Sequence, residues 1–266
     1  MTENTAQMAV KITKNLSTYF AYIPWMLSGV LITACVHGFI YWYNHTEETH
    51  IFVHIPKTGG TALNQWIDQQ HLRNQCKTIR SAHTHYLDTE HAIRLGYHPI
   101  TIIRHPIERF VSSFYYWKFG SKDIAAWRRT QQWDKADGIE TPNDLIDILK
   151  NPKHARYQST VDAVFSRHEF THRHHFLPQT LWLKDHTEQT IVICYDAQTL
   201  SHNIQTTLAR HGIDCPIEQL PNINQSITPP QKPKLTKESR QWLEDLYADD
   251  MALWATHCQR SASRTP

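Results

Sequence analysis

The feature that most constrains the fold is an apolar run that leads through a glycine turn into a helical pattern. Residues 51–53 read IFV, residues 54–61 read HIPKTGGT, and residues 62–67 read ALNQWI. This order predicts a strand, a tight loop and a helix N-terminus. The first N–H groups of a helix point outward, glycines let the backbone approach a ligand, and the helix dipole attracts negative charge. The loop is therefore expected to bind an anion, with Lys57 as a positive charge and the hydroxyl groups of Thr58 and Thr61 as donors.

The order of residues in this loop differs from that of the commonest nucleotide-binding loop. The Walker pattern G-x-x-x-x-G-K-[ST] places its lysine after the glycines. Here Lys57 precedes Gly59 and Gly60, and no glycine lies upstream at the required spacing. This difference argues against an NTP-dependent kinase, which remains an alternative.

A second anion-binding pattern follows another apolar run. Residues 98–103 read HPITII and predict a buried strand that continues into RHPIERFVSSFYYW. Pro106 suits the first turn of a helix, so Arg104 ends the strand and Ser112 lies about two turns along the helix. Arg104 and Ser112 are therefore expected to face one crevice, and the guanidinium of Arg104 can form two parallel hydrogen bonds with phosphate oxygens. Arg109 is expected to be structural, as the partner of a neighbouring acid.

Together the two segments resemble the Golgi-type carbohydrate sulfotransferases, which use 3′-phosphoadenosine 5′-phosphosulfate (PAPS). Residues 56–61 are similar to the 5′-phosphosulfate loop of that family, and residues 104–114 are similar to its 3′-phosphate pattern R-x-P-x-x-R-x-x-S-x-[FY]. The resemblance covers residues 50–258 and is specific at these two segments. It implies PAPS as co-substrate, no metal, and a PAPS site formed by Lys57, Thr58, Gly59, Gly60, Thr61, Arg104 and Ser112.

A histidine pair between the two segments suits proton transfer. His83 and His85 end a short β-compatible run, so their side chains fall on one face of an extended segment. Sulfuryl transfer needs a base for the acceptor hydroxyl, and histidine has a pKa near the working pH. The pair resembles the H-x-H of uronosyl 2-O-sulfotransferases, which implies His83 as base and His85 as its helper or an acceptor ligand. Which histidine takes the proton stays open. Lys57 completes the catalytic set by stabilising charge on the departing phosphate.

Later segments complete the expected domain. Residues 175–179 resemble an element near the acceptor in the same superfamily, so His175 or Gln179 is expected to contact the acceptor. Residues 190–195 predict a third buried strand, and residues 237–257 predict one final amphipathic helix. That helix is expected to pack on the sheet through Trp242, Leu246, Met251 and Trp254. The whole pattern predicts a P-loop-like α/β domain, a mostly parallel sheet flanked by helices that binds its ligand at the carboxyl ends of the strands.

An apolar stretch near the N-terminus predicts a transmembrane helix. Residues 19–43 carry only apolar, aromatic and small residues apart from His37 and a few hydroxyl groups, enough to cross a hydrocarbon core of about 30 Å. Aromatic residues at both ends and the flanking charges predict a single-pass helix with a cytoplasmic N-terminus and an outward catalytic domain, which would lie in the Golgi lumen in a eukaryote. In a bacterium the orientation stays open. A buried hydrophobic helix is one alternative; a signal peptide is less favoured, because the run exceeds a typical h-region and no A-x-A cleavage pattern follows. The resulting organisation is a polar tail (1–18), the helix (19–43), a linker (44–50), a sulfotransferase domain (51–258) and a disordered tail (259–266).

The net charge and the spacing of the cysteines limit the kinds of ligand and disulfide that the chain is expected to have. The net charge of +2 does not point to nucleic acid, and the five cysteines show neither a C-x-x-C pair nor a metal-ligand spacing. Cys194, inside the third predicted strand, is expected to be a buried thiol. Cys76, Cys215 and Cys258 are available for disulfides in an oxidising compartment, without an assignable pairing.

The resemblance thus implies in-line transfer of a sulfuryl group from PAPS to a hydroxyl of a saccharide or glycan, with a histidine base and no metal. A membrane-anchored nucleotide-binding protein without turnover is the alternative from another class, beside the kinase.

Overall fold

The computed structural model describes residues 49–73, 76, 78–82, 87–120, 138–165, 172–217, 219–221 and 233–259. The tail, transmembrane helix and linker predicted up to residue 48 lie outside the described residues, and so do His83 and His85. In the parts of the chain that are described, no helix combines the length and apolar character needed to cross a bilayer.

The described part of the chain contains a four-stranded sheet in the order β2-β1-β3-β4. Its strands are β1 (His50–Val53), β2 (Ile79–Ser81), β3 (His98–Ile103) and β4 (Ile191–Cys194). All three strand pairs are parallel, which confirms the predicted α/β class. The chain passes from β1 to β2 on one side and then crosses to β3 on the other side of β1. The carboxyl ends of β1 and β3 therefore flank a topological switch point, where open α/β sheets bind ligands.

Helices follow the strands along the chain. They are α1 (Gly60–Leu72), α2 (Thr89–Arg94), α3 (Pro106–Phe119), α4 (Pro142–Lys150), α5 (Tyr157–Phe165), α6 (Thr180–Leu183), α7 (Leu200–Arg210), α8 (Lys237–Leu246) and α9 (Ala248–Trp254). Short helical turns span His172–His175, Thr187–Gln189 and Ala255–Gln259. Gln259, which the sequence assigned to a disordered tail, thus ends the last of these turns.

Strand side chains alternate between two apolar cores, one on each face of the sheet. Phe52 of β1 packs in one core with Leu63 of α1 and Leu208 of α7. Ile51, one residue earlier, packs in the other core with Ala92 of α2. The alternation follows from the two-residue period of a strand, and both faces must be covered because parallel strands are apolar on both sides.

A third apolar core joins helices beyond the sheet. It contains Phe110 and Phe114 of α3, Leu145 of α4, Val164 of α5 and Leu243 of α8. Helix α4 begins at a capping residue: Thr141 accepts a hydrogen bond from the backbone N–H of Asp144, whose side chain accepts one in return from the Thr141 N–H. This reciprocal pair is a capping box.

The single C-terminal helix predicted over residues 237–257 is wrong in two respects. The helix breaks at Tyr247 into α8 and α9, and Leu246 is exposed instead of packing on the sheet. The buried side chains of these helices are those of Ser239, Leu243, Tyr247 and Asp250. Tyr247 turns inward because its hydroxyl donates to the carbonyl of Phe176, 2.5 Å away.

Two disulfides link distant parts of the domain. Cys76 pairs with Cys215 across a Cα–Cα distance of 5.0 Å, and Cys194 pairs with Cys258 across 5.6 Å. The prediction that Cys194 is a buried thiol is therefore wrong, because the last helical turn brings Cys258 against the end of β4. The bonds close loops with sequence separations of 139 and 64 residues.

Removing either disulfide is expected to destabilise the domain by roughly 2–4 kcal/mol, because each limits the freedom of the unfolded chain. Urea unfolding of the Cys194→Ser/Cys258→Ser and Cys76→Ser/Cys215→Ser variants measures the loss, with Cys35→Ser as the control. Alkylation of unreduced, unfolded protein should modify no more than one of the five cysteines. Labelling of three or more would contradict the pairing.

Candidate active site

The loop after β1 is shaped by two glycines. Gly59 adopts a left-handed conformation with φ of 86°, and Gly60 begins the 13-residue helix α1. A Cβ atom on Gly60 would lie 2.2 Å from Cδ2 of His54, so only glycine lets the loop pack on that buried ring. The backbone at the start of α1 is thereby held at the carboxyl end of β1, in the position expected for an anion site.

The hydroxyl of Thr58 does not serve as a ligand donor. Thr58 is fully buried, and its hydroxyl donates to the carbonyl of Ile55 at 2.8 Å. The prediction of a hydroxyl contact is therefore wrong for Thr58, because the nearest carbonyl of its own turn takes the proton. Its backbone remains part of the loop.

Arg109 of α3 holds this loop from beneath. Its buried guanidinium donates from Nε to the carbonyl of Pro56 at 3.0 Å and from a terminal nitrogen to the carbonyl of Leu177 at 2.8 Å. Desolvation lowers the pKa of Arg109, and the charge of Asp250 raises it in compensation. Arg109 therefore has a structural role. Its hydrogen-bond partners are two backbone carbonyls, and the neighbouring acid, Asp250, contributes through its charge.

Lys57 has a strained backbone conformation and a side chain whose pKa is lowered toward neutral pH. It has a φ of 67°, and its ammonium lies 3.9 Å from the centre of the Tyr116 ring, a cation–π contact. Burial, and secondarily the charge of Arg104, lowers the pKa of Lys57 to about 7. An anion bound beside Lys57 would stabilise the ammonium form.

Arg104, at the carboxyl end of β3, reaches toward the same loop. A terminal nitrogen donates to the carbonyl of Lys57 at 3.4 Å, and the guanidinium lies 4.4 Å from the centre of the Tyr195 ring. Its buried Nε has no hydrogen-bond partner among the described residues, and the nearest carboxylate oxygen of Glu108, 3.7 Å away, is too far to accept one. A buried donor without an acceptor is costly, so this nitrogen suits an oxygen of an anionic ligand.

These groups line one cavity of about 720 Å³. The structure brings Lys57, Gly59, Arg104 and Ser112 onto its surface, so the two segments singled out in the sequence meet at the switch point. The remaining lining residues are Ala62, Tyr195, Ala197, Gln198, Leu200, Ser201, His202, Gln205, Ile217, Gln219, Leu220 and Pro221.

The part of the cavity lining that comes from β4 and the following residues was not foreseen in the sequence. Tyr195 follows β4 directly, and the first turn of α7 adds Leu200 and Ser201. One signal was present: Tyr195 stands at a strand end, as the Lys57 loop and Arg104 do. Neighbouring parallel strands end at one edge of a sheet, so the residue after β4 could have been included.

The expected acceptor contacts at residues 175–179 are not supported. Gln179 is completely buried, and its side-chain amide bonds to the backbone of Arg104. His175 is also buried, with its ring 4.8 Å from that of Tyr116. Within the described ranges, no group of three or more His, Cys, Asp or Glu side chains is placed to hold a metal ion.

Binding of an anionic nucleotide should be coupled to protonation of Lys57. With a pKa of about 7 before binding, Lys57 loses its charge as the pH rises, whereas a bound phosphate raises that pKa. For 3′-phosphoadenosine 5′-phosphate, the product nucleotide that the resemblance to PAPS-dependent enzymes implies, the affinity should therefore fall by up to about tenfold per pH unit above 7, with proton uptake on binding. Calorimetry in buffers of different ionisation enthalpy measures both. Lys57→Arg, which keeps its charge, should remove the pH dependence; a slope unchanged in that variant would exclude Lys57 as its source.

Gly59→Ala should weaken nucleotide binding, whereas Gly96→Ala should not. Both glycines have a φ of 86°, so both variants carry similar backbone strain of about 1 kcal/mol. Only at Gly59 does the added methyl meet the cavity wall, 2.9 Å from Cδ2 of Leu200; at Gly96 nothing lies within 4 Å. Nucleotide titrations at matched folded fractions separate the two effects. Equal affinities in the two variants would show that the loop tolerates the methyl group.

The sequence of the chain matches the model of a known protein family over most of its length. Residues 41–255 match a family model described as the sulfotransferase family, a span that includes both anion-binding segments. No curated protein and no solved structure matches the chain significantly. Because the match covers most of the 266 residues, the chain belongs to the sulfotransferase family.

Proposed function

We propose that this sulfotransferase uses PAPS as its donor and that its acceptor is a hydroxyl group of a saccharide or glycan. The observation that carries the proposal is the cavity at the β1–β3 switch point, where Lys57 and Arg104 face the same space. A nucleotide with a phosphate at each end of its ribose needs two anion-binding segments, and this edge of the sheet has two.

The residues present fit the two anionic ends of PAPS. The backbone of residues 58–61 and Lys57 suit the 5′-phosphosulfate, since a helix N-terminus and a lysine favour negative charge. Arg104 and Ser112 suit the 3′-phosphate, and Nε of Arg104, which has no hydrogen-bond partner among the described residues, offers a donor for one of its oxygens.

The chain's own chemistry centres on Lys57. PAPS, when bound, supplies a sulfuryl group on a good leaving group. Lys57 in its ammonium form would stabilise the negative charge that develops on the departing phosphate, and its mostly buried surroundings strengthen that interaction. No step of this kind requires a metal ion.

His83 is proposed as the base, with His85 as its helper or an acceptor ligand. The support is topological, because both histidines follow β2, whose parallel neighbour β1 leads into the Lys57 loop. The residue before His83 is anchored nearby: the carbonyl of Ala82 accepts a hydrogen bond of 3.2 Å from Asn64 in α1. Ala82, the last described residue before His83, is thus held beside the helix that begins at the Lys57 loop.

The proposal includes a membrane anchor formed by residues 19–43 and a catalytic domain on the non-cytoplasmic side of that membrane. Two disulfides support it, because such bonds persist in oxidising compartments. The saccharide acceptor is supported by the resemblance of both anion-binding segments to those of Golgi-type enzymes and, at His83 and His85, to uronosyl 2-O-sulfotransferases.

Binding of 3′-phosphoadenosine 5′-phosphate, 5′-AMP and ATP to the purified protein tests the donor. The 3′-phosphate should add roughly 1.5–3 kcal/mol through charge-assisted hydrogen bonds, about 10- to 150-fold in affinity. Equal affinity for 5′-AMP, or tighter binding of ATP, would reject PAPS. Turnover of sulfur-labelled PAPS with a panel of glycans then tests transfer and acceptor.

His83→Ala should abolish transfer, by a factor of about 10² or more, while leaving nucleotide affinity unchanged, since a base acts on the acceptor proton. His91→Ala, at an exposed position of α2, is the matched control and should retain activity. Activity retained in His83→Ala but lost in His85→Ala would assign the base to His85, and activity retained in both would exclude the pair.

A further inference from the structure

The backbone of Arg104 is held by a buried side chain that the sequence assigned to another task. Oε1 of Gln179 accepts a hydrogen bond from the Arg104 N–H, and Nε2 of Gln179 donates to the Arg104 carbonyl, both at 2.9 Å. Gln179 has no exposed surface. Its amide thus pairs with Arg104 as a neighbouring strand would, just beyond the last residue of β3.

Gln179 is fixed in turn by an acid from the C-terminal helices. The carboxylate of Asp250 in α9 accepts from the backbone N–H of Gln179 at 2.7 Å and from that of Thr180 at 2.9 Å. Asp250 is also completely buried. Hydrogen bonds therefore connect Asp250 in α9 to Gln179, and Gln179 to Arg104, whose guanidinium lines the cavity.

This arrangement controls where the guanidinium of Arg104 lies. Two hydrogen bonds to one residue fix both of its peptide planes, and so the direction in which its side chain leaves the backbone. At the cavity end, contacts with the Lys57 carbonyl and the Tyr195 ring fix the guanidinium itself. Bidentate recognition of a phosphate depends on such placement, because both hydrogen bonds must align together.

We infer that Gln179 is a positioning residue for recognition of the 3′-phosphate, and that Asp250 acts on the same recognition through Gln179. The inference rests on the proposed function, in which Arg104 binds that phosphate. It predicts an effect on selectivity: without the amide, Arg104 loses its alignment with the 3′-phosphate, whereas the Lys57 loop still binds the 5′-phosphate.

The experiment compares the affinities for 3′-phosphoadenosine 5′-phosphate and 5′-AMP in the full-length chain. Their ratio isolates the 3′-phosphate, since both ligands carry the 5′-phosphate. Gln179→Met removes both hydrogen bonds at similar volume and should reduce the ratio about tenfold or more. The control is Gln70→Met in α1, which also replaces a buried glutamine and should leave the ratio unchanged even where stability falls.

A second variant keeps the experiment decisive should Gln179→Met fold poorly. Gln179→Glu keeps an acceptor for the Arg104 N–H but loses the donor to the carbonyl while it is ionised. Protonation of the buried carboxyl restores a donor, so the ratio should be low at pH 8 and recover as the pH falls. A role in packing alone predicts no recovery with pH. Lys57 affects both ligands alike, so its own titration cancels in the ratio.

The outcomes separate this inference from the proposed function. A wild-type ratio near one would reject the proposed function itself. A large wild-type ratio that persists in both Gln179 variants would overturn only the positioning role. Asp250→Asn should lower the ratio, and combining it with Gln179→Met should add little, because residues that act through one another are not additive. Fully additive losses would overturn the link through Gln179.

Discussion

The burial of a single positive charge, that of Arg109, is the constraint on which the centre of this domain depends. A guanidinium with 1% exposure must be compensated, and the compensation comes from the carbonyls of Pro56 and Leu177 and the charge of Asp250. These partners belong to the loop after β1, the segment before α6, and α9. Loss of any of them would leave a buried charge or dipole unsatisfied, so the three segments are held together as a unit.

The relation between the two anion-binding segments follows from this unit and from the sheet. Parallel strands lie about 4.8 Å apart, so loops that leave the ends of β1 and β3 begin within reach of one ligand. The Thr101 hydroxyl reinforces the pair by donating to the carbonyl of Val53 at 2.9 Å. Arg109 then fixes the loop after β1, and Gln179 fixes the backbone of Arg104 after β3. The cavity is thus organised before a ligand arrives, which lowers the ordering cost of binding.

The sequence predicted those parts of the fold and site that are encoded locally. Apolar runs located β1, β3 and β4, and glycine and arginine patterns located the two segments that meet at the cavity. The parts that were missed depend on partners distant in the chain. Gln179 and Arg104 are 75 residues apart, and Cys194 and Cys258 are 64 apart. Nothing in the residues near Gln179 indicates that its amide will bond to a strand end instead of an acceptor. The error at Thr58 has a local cause. The carbonyl of Ile55, in the same turn, accepts the hydrogen bond that was predicted for the ligand.

The wall of the cavity that faces Arg104 is built differently from the phosphate-binding side. Hydrogen bonds to backbone groups hold the Lys57 loop and Arg104, whereas the lining residues Tyr195 and Ile217 lie close in the chain to disulfide-bonded cysteines. Cys194 immediately precedes Tyr195, and Cys215 lies two residues before Ile217. Tyr195 and Ile217 both line the cavity. Reduction would therefore loosen the wall on which the Arg104 guanidinium rests while leaving the Gln179 contacts intact. The proposed function, with PAPS as the donor, therefore requires a compartment that is oxidising and also supplied with PAPS. The proposed Golgi-type setting meets both conditions, whereas an outward domain in a bacterium would meet the first and still require a source of the donor.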